Sequence, residues 1–162
     1  MPHPKTITIS TNNLSIVSRP KNSMWVSANA GSGKTWNLVI RVARLLLSGA
    51  LPEKILCLTY TKAAANEMQN RLFKELGSWS MKSDDELTKI LLTLDKEFLT
   101  RSKAGLCLLN NARQLFAKAL ETPGGLKIQT IHSFCGTVLR KFPMEINISP
   151  NFSVLDERQK QE

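Results

Sequence analysis

The sequence predicts an α/β fold built on a parallel sheet with flanking helices, and three observations carry that expectation. Two short apolar segments, MWVSA at residues 24–28 and KILCLTY at residues 54–60, are each followed by a stretch of helical period. A run of small residues separates the first segment from its helix, whereas the second passes into its helix through Thr59, Tyr60 and Thr61. Strand, helix, strand, helix in that order implies parallel strands joined by right-handed crossovers.

A chain of 162 residues with 42% hydrophobic residues can bury one core. Lys plus Arg outnumber Asp plus Glu by 22 to 13, for a net charge of +9. That balance favours a polyanionic partner such as nucleic acid, and it equally suits an ordinary basic protein. Cys57, Cys107 and Cys135 are odd in number and widely spaced, a pattern of neither a zinc site nor a disulfide framework, so a reducing cytosol is expected. The first residues lack an apolar core of signal-peptide length, and no uncharged apolar run approaches a membrane span. A soluble, cytoplasmic chain with no membrane partner is the expectation.

Taken in order, residues 1–22 carry Pro2, Pro4 and Pro20 among many Ser, Thr and Asn, and read as an irregular or partly ordered N-terminal arm. Residues 24–28 read as a buried strand. From Thr35 to Ser48 the polar residues fall at Asn37, Arg41, Arg44 and Ser48, which predicts a helix with a narrow wet stripe, ended by Gly49. KILCLTY reads as a fully buried strand. A helix from about Ala63 places Ala65, Met68, Leu72 and Leu76 on one face, with Gly77 beyond its end. Residues 23–77 thus form a first strand-and-helix part, and residues 78–122 a helical insertion in which Ser83 and Glu86 make a capping box. Residues 123–162 follow, with Gly124 and Gly125 as breakers, LKIQTI as a third strand, and a helix from near Ser133 to before Pro143.

The small-residue run has a chemical reading. Phosphate oxygens need several backbone N–H groups converging on them, hence residues without bulky side chains, and the N-terminus of the next helix adds a favourable dipole. Ala28, Asn29, Ala30, Gly31, Ser32 and Gly33 supply such a loop. Lys34 places an ammonium on the terminal phosphates of ATP, and the Thr35 hydroxyl is the expected ligand of Mg²⁺. Ala28 stands where the general pattern has Gly, one methyl away from a strict match.

Phosphate binding alone does not choose a function, because kinases, GTPases, transporters and motor proteins all use such loops. The other strand ends add to it. Thr59 and Thr61 can hydrogen-bond phosphates, Tyr60 can contact sugar or base, and Gln129, Thr130 and His132 bring polar groups to the end of the third strand. Taken singly, Tyr60 also reads as an edge aromatic and His132 as a capping or core histidine.

Together, ANAGSGKT, LTYTKAAANEM and IQTIHSFC resemble, in order, motifs I, Ia and Ic of the first RecA-like motor domain of superfamily 1 DNA helicases of the UvrD and RecB type. Within that family, WVSANAGSGKT, ILCLTYTKAAANEMQNRL, ARQLFAKALETPGGLKIQTIHSFC and LRKFPMEINISPNFSVLDE are similar to the N-terminal part of the AddA group, in its alphaproteobacterial form. AddA proteins are helicase-nuclease subunits that act in double-strand break repair and recombination. The resemblance runs from about Ser23 to Glu157 and implies a partial RecA-like P-loop NTPase domain. It further implies ATP and Mg²⁺ at Gly31, Gly33, Lys34 and Thr35, and single-stranded DNA at Thr59, Tyr60, Thr61 and His132. The implied partners are single-stranded DNA, the remainder of the helicase and an AddB-like subunit.

The departures are specific. The glutamine that reads adenine in many such helicases has no counterpart, since no Gln precedes Gln69. Lys62 stands where motif Ia usually has Asn, adding a charge that attracts phosphate at a DNA-facing position or serving as a solvated first residue of a helix. Hydrolysis needs one carboxylate to hold the metal and another to orient water. Asp156 and Glu157 follow too short an apolar run to end a central strand, and in the family that stretch is not the catalytic pair. SDDEL at 83–87 has no strand before it. The 162 residues are therefore expected to bind without turnover, as the first piece of a motor or as a non-catalytic nucleotide- and DNA-binding remnant.

Overall fold

The computed structural model describes residues 5–8, 17–27, 29, 31–94, 105–145, 147, 149 and 151–152. Within them, four strands and five helices follow one another in the order β1 (Lys5–Thr8), β2 (Met24–Ser27), α1 (Lys34–Leu47), β3 (Leu56–Thr59), α2 (Lys62–Met81), α3 (Asp84–Leu94), α4 (Gly105–Leu120), β4 (Lys127–Thr130) and α5 (Ile131–Lys141), with a 3-10 turn at Pro52–Lys54 before β3. The alternation is α/β and the pairing is parallel, as the sequence predicts. The strands form two two-stranded units among the described residues: β1 with β2, Lys5 opposite Met24, and β3 with β4, Leu56 opposite Lys127.

Several expectations are corrected. Residues 1–22 are not wholly irregular: β1 is a strand, and the turn at 17–22 is held against α1. The strands expected to be buried on both faces are half-exposed, with Trp25 at 66%, Leu56 at 41% and Leu58 at 43%. Side chains alternate across a strand, and Cys57 and Ile128 turn inward toward the core while Leu56 and Leu58 face outward. Within the described residues, helices therefore cover one face of this pair. KILCLTY is strand only over Leu56–Thr59, because Pro52–Lys54 turns before it.

The core lies mainly between helices. Val39, Ile40, Ala43 and Leu46 of α1 meet Met68, Leu72, Leu76 and Trp79 of α2, and the same cluster takes in Leu87 and Leu91 of α3 and Leu108, Ala112 and Leu115 of α4. The helices read as an insertion thus share one core with the strand-flanking helices. Helix α2 runs four residues past Gly77, which sits inside it against the Phe116 ring of α4. Phe73 and Phe116 meet edge to face with centroids 6.2 Å apart. Arg113 of α4 donates to the Lys82 carbonyl and pairs with Asp84, fixing the start of α3, where the Glu86 N–H donates to the Ser83 hydroxyl at 3.4 Å. Helix α1 ends as predicted at Gly49, whose φ of 93° permits the left-handed turn. Gly49 N–H donates to Leu46 C=O and Ala50 N–H to Leu45 C=O, each at 3.0 Å, a Schellman closure.

Candidate functional site

Three strand-to-helix junctions position the residues singled out by the sequence, and they differ in how the helix starts. Thr61 caps α2, its Oγ1 accepting from Ala64 N–H at 3.1 Å. Thr130 caps α5 in the same way, accepting from Ser133 N–H at 3.1 Å, so that helix begins at Ile131 rather than near Ser133. Helix α1 has no capping side chain: its N-cap is Gly33, at φ 81°. The first intrahelical bond there runs from Asn37 N–H to Gly33 C=O at 2.9 Å, so the N–H groups of Lys34, Thr35 and Trp36 precede it. Uncapped N–H groups, no acidic residue in the first turn and the positive end of the helix dipole make this the junction suited to an anion.

The loop before α1 has the backbone that a phosphate cradle requires. Gly31 and Gly33 both have positive φ, 76° and 81°, and a Cβ at either would stand in open space, so backbone conformation rather than crowding calls for glycine. The Asn29 carbonyl accepts from Ser32 Oγ and from Lys34 Nζ, both at 2.6 Å, drawing the lysine ammonium across the loop. Thr35 lies half-buried in the first turn. These residues fit a magnesium nucleotide: Lys34 and the amides for the phosphates, the Thr35 hydroxyl for the ion. Ala28 and Ala30 lie outside the described residues, as do Asp156 and Glu157.

Beneath the loop, the polar stripe of α1 is wet only at its end: Asn37 is 7% and Arg44 3% exposed, Arg41 is half-buried and Ser48 is exposed, and residues 17–22 lie against Arg41 and Arg44. The Arg41 guanidinium donates to the carbonyls of Val17 at 3.2 Å, Arg19 at 2.9 Å and Asn22 at 2.6 Å, and Arg44 donates to Ser18 Oγ at 2.7 Å. Burial first, then the neighbouring Arg44 charge, pushes the Arg41 pKa below its ordinary value. The two arginines thus fasten the N-terminal turn to the helix that follows the loop. The spacing of 37, 41, 44 and 48 was the available signal, but amphipathic period cannot distinguish solvent from a chain segment as the partner of a polar stripe.

Parallel register places Thr59 opposite Thr130, so the ends of β3 and β4 come together and bring Thr59, Tyr60, Thr61, Lys62 and His132 to one edge. Thr59 Oγ1 donates to the Thr61 carbonyl at 3.0 Å and shapes the two-residue link into α2. Tyr60, in that link, projects outward at 81% exposure and is no core aromatic. Lys62 and His132, in the first turns of α2 and α5, are also exposed. The loop at 29–35 stands at the end of the other strand pair, and the packing of α1 on α2 links it to this edge. Among the described residues no group of three or more His, Cys, Asp or Glu could hold a metal, and no helix is long and apolar enough to cross a membrane.

Parallel strands with flanking helices, joined at strand-to-helix junctions, define the class as a mixed α/β domain of RecA-like type. Residues 9–162 match the family described as the UvrD/REP helicase N-terminal domain, and the chain belongs to that family. Similar proteins include the AddA chain of the ATP-dependent helicase/nuclease of Lactobacillus gasseri, 37% identical over 135 residues that cover 83% of this chain and 9% of that protein. The protein of the same name from Desulforudis audaxviator is 36% identical over 142 residues, 86% of this chain and 9% of its own length. That from Enterococcus faecalis is 33% identical over 132 residues, 82% and 8% respectively. The chain spans under a tenth of the length of these relatives.

Proposed function

We propose that this chain is the ATP-binding and single-stranded-DNA-binding part of an AddA-like helicase that acts in double-strand break repair and recombination. The observation that carries the nucleotide half is the contrast between junctions: threonine hydroxyls cap α2 and α5, whereas α1 starts on a glycine with its first amides uncapped behind a loop of two positive-φ glycines. In this reading the amides and Lys34 hold the phosphates of ATP, and Thr35 holds Mg²⁺, whose charge offsets that of the phosphates. DNA lies along the edge formed by Thr59, Tyr60, Thr61, Lys62 and His132, with Tyr60 stacking a base and Lys62 drawing the backbone. Helicase and nuclease activities are named for the relatives, of which the matched segment is 9%. For this chain we propose the binding steps, and an AddB-like protein as its partner in the larger assembly.

Calorimetry of the chain with Mg-ATP tests this. Lys34→Ala is expected to weaken binding by about ten- to a hundred-fold, the range for losing a hydrogen bond to a charged group. Equal affinity in the two proteins removes the phosphate-loop assignment.

A further inference from the structure

Strand β2 leads into the loop, yet side-chain packing does little to hold it to the rest of the fold. Among the described residues it supplies nothing to the shared apolar core, which takes in α1 and, from the other strand pair, Cys57 and Ile128. On one face of β2, Trp25 and Ser27 are exposed. Beside its other face a cavity of about 520 Å³ is lined by Met24 and Val26 of the strand and by Asn37 and Leu38 of α1. Side chains across such a gap forfeit the contacts that would fix the spacing of two elements.

The attachment is made instead by hydrogen bonds from α1. Arg41, about two turns beyond Lys34, donates to the carbonyls of Val17, Arg19 and Asn22, and Asn22 lies just before the start of β2 at Met24. Arg44, one turn further, donates to Ser18 Oγ, and both of these side chains are buried. Helix α1 is itself anchored in the core through Val39, Ile40, Ala43 and Leu46. A closed circuit results, from α1 to the turn at 17–22, to β2, to the loop and back to α1. Within the loop, a Cβ at Gly31 or Gly33 would meet no atom within 4 Å. Nothing presses these two positions into shape from outside, so the spacing of the loop's ends limits its conformations.

We propose that Arg41 is a positioning residue for nucleotide binding: by tying β2 to α1 it holds the loop between them in the shape that receives phosphate, without touching the nucleotide. The inference rests on the nucleotide reading of the loop. Arginine suits this task because its planar fork presents several donors in fixed geometry, which the single ammonium of lysine does not. A loop already held in its binding shape loses less freedom when the ligand arrives, so affinity rises without a new contact. Coupling is reciprocal: phosphate on the loop steadies the turn at 17–22.

The test is calorimetry of the full chain with Mg-ATP and with magnesium tripolyphosphate, for the unaltered protein, Arg41→Met, Arg41→Lys and Lys34→Ala. Arg41→Met is expected to weaken both ligands by the same factor, about ten-fold, within the usual range of coupling between sites. Arg41→Lys should fall between Arg41→Met and the unaltered protein, because one ammonium serves fewer of the three carbonyls. Thermal melting without ligand gives the folded fraction of each variant, to which the affinities are referred. Hydrogen exchange of the unaltered protein supplies a readout that needs no variant: magnesium tripolyphosphate should slow exchange in peptides covering residues 17–23. A lowered melting midpoint with unchanged affinity in the Arg41 variants shows a merely structural role and overturns the proposal. Weakening of ATP alone, with tripolyphosphate unaffected, overturns it too, since Arg41 would then act on another part of the nucleotide. So does exchange at 17–23 that ignores tripolyphosphate. If both ligands bind no better to the unaltered protein than to Lys34→Ala, the phosphate-loop reading itself falls, and this inference with it.

Discussion

Cys57 sits on the inward side of β3 against the core, while Cys107 and Cys135 are exposed. Burial pushes the Cys57 thiol above the usual range, because the thiolate loses hydration there. Alkylation of the native chain at about pH 8 should therefore modify Cys107 and Cys135 first, with Cys57 slower by about ten-fold or more until denaturant is added; mass spectrometry of timed samples reads this directly. Modification of all three at one rate would place Cys57 in solvent. The same shift has a stability consequence. An acid whose folded pKa is raised binds its proton more tightly when folded, so the contribution is complete below the unfolded thiol value and is lost as pH rises through the folded one. Residue type and spacing made Lys34, Thr35 and Tyr60 legible as candidates. They could not show that Asn37 and Arg44 are buried, because burial depends on segments distant in the chain.

Helix α2 shows how a local breaker is overruled. Glycine in a helix interior costs about 0.5–1 kcal/mol relative to alanine, which is why Gly77 reads as a stop. The helix nevertheless continues to Met81, because Trp79 beyond it is fully buried and its Nε1 donates to Glu75 Oε1 at 3.0 Å. A Cβ at position 77 would lie 3.5 Å from Phe116 Cε2, an ordinary contact. Gly77→Ala should accordingly stabilise the fold by about 0.5–1 kcal/mol, read as a higher midpoint in urea with unchanged slope. A lower midpoint would show that α2 and α4 need the bare backbone to approach each other. The helix starts teach a related lesson. Ser83 was legible as a cap because Glu86 completes the pattern, whereas Thr61 and Thr130 become caps only once the strands before them are known to end at Thr59 and Thr130.

For the molecule as a whole, the net charge of +9 and the edge formed by β3 and β4 lead to the same measurement. Binding of single-stranded oligonucleotide, followed by fluorescence anisotropy, should weaken steeply with salt as counterions are released. Tyr60→Ala should cost about 1–3 kcal/mol if a base stacks on the exposed ring. Binding that ignores salt would sink the electrostatic reading. Salt-sensitive binding indifferent to Tyr60 would leave the charge and remove the stack.

The alternation of strands and helices, their parallel sense, and the family were all legible in the chain itself, because each is written in short-range spacing and in residue types with few alternative uses. Packing between distant segments settled what the spacing left open. It turned the polar stripe of α1 into a clamp on residues 17–22, joined the helices at 84–120 to the common core, and left one face of β3 uncovered within the described residues. The physical reason is the same in each case: periodicity fixes which side chains share a face, whereas the partner of that face is chosen by segments distant in the chain.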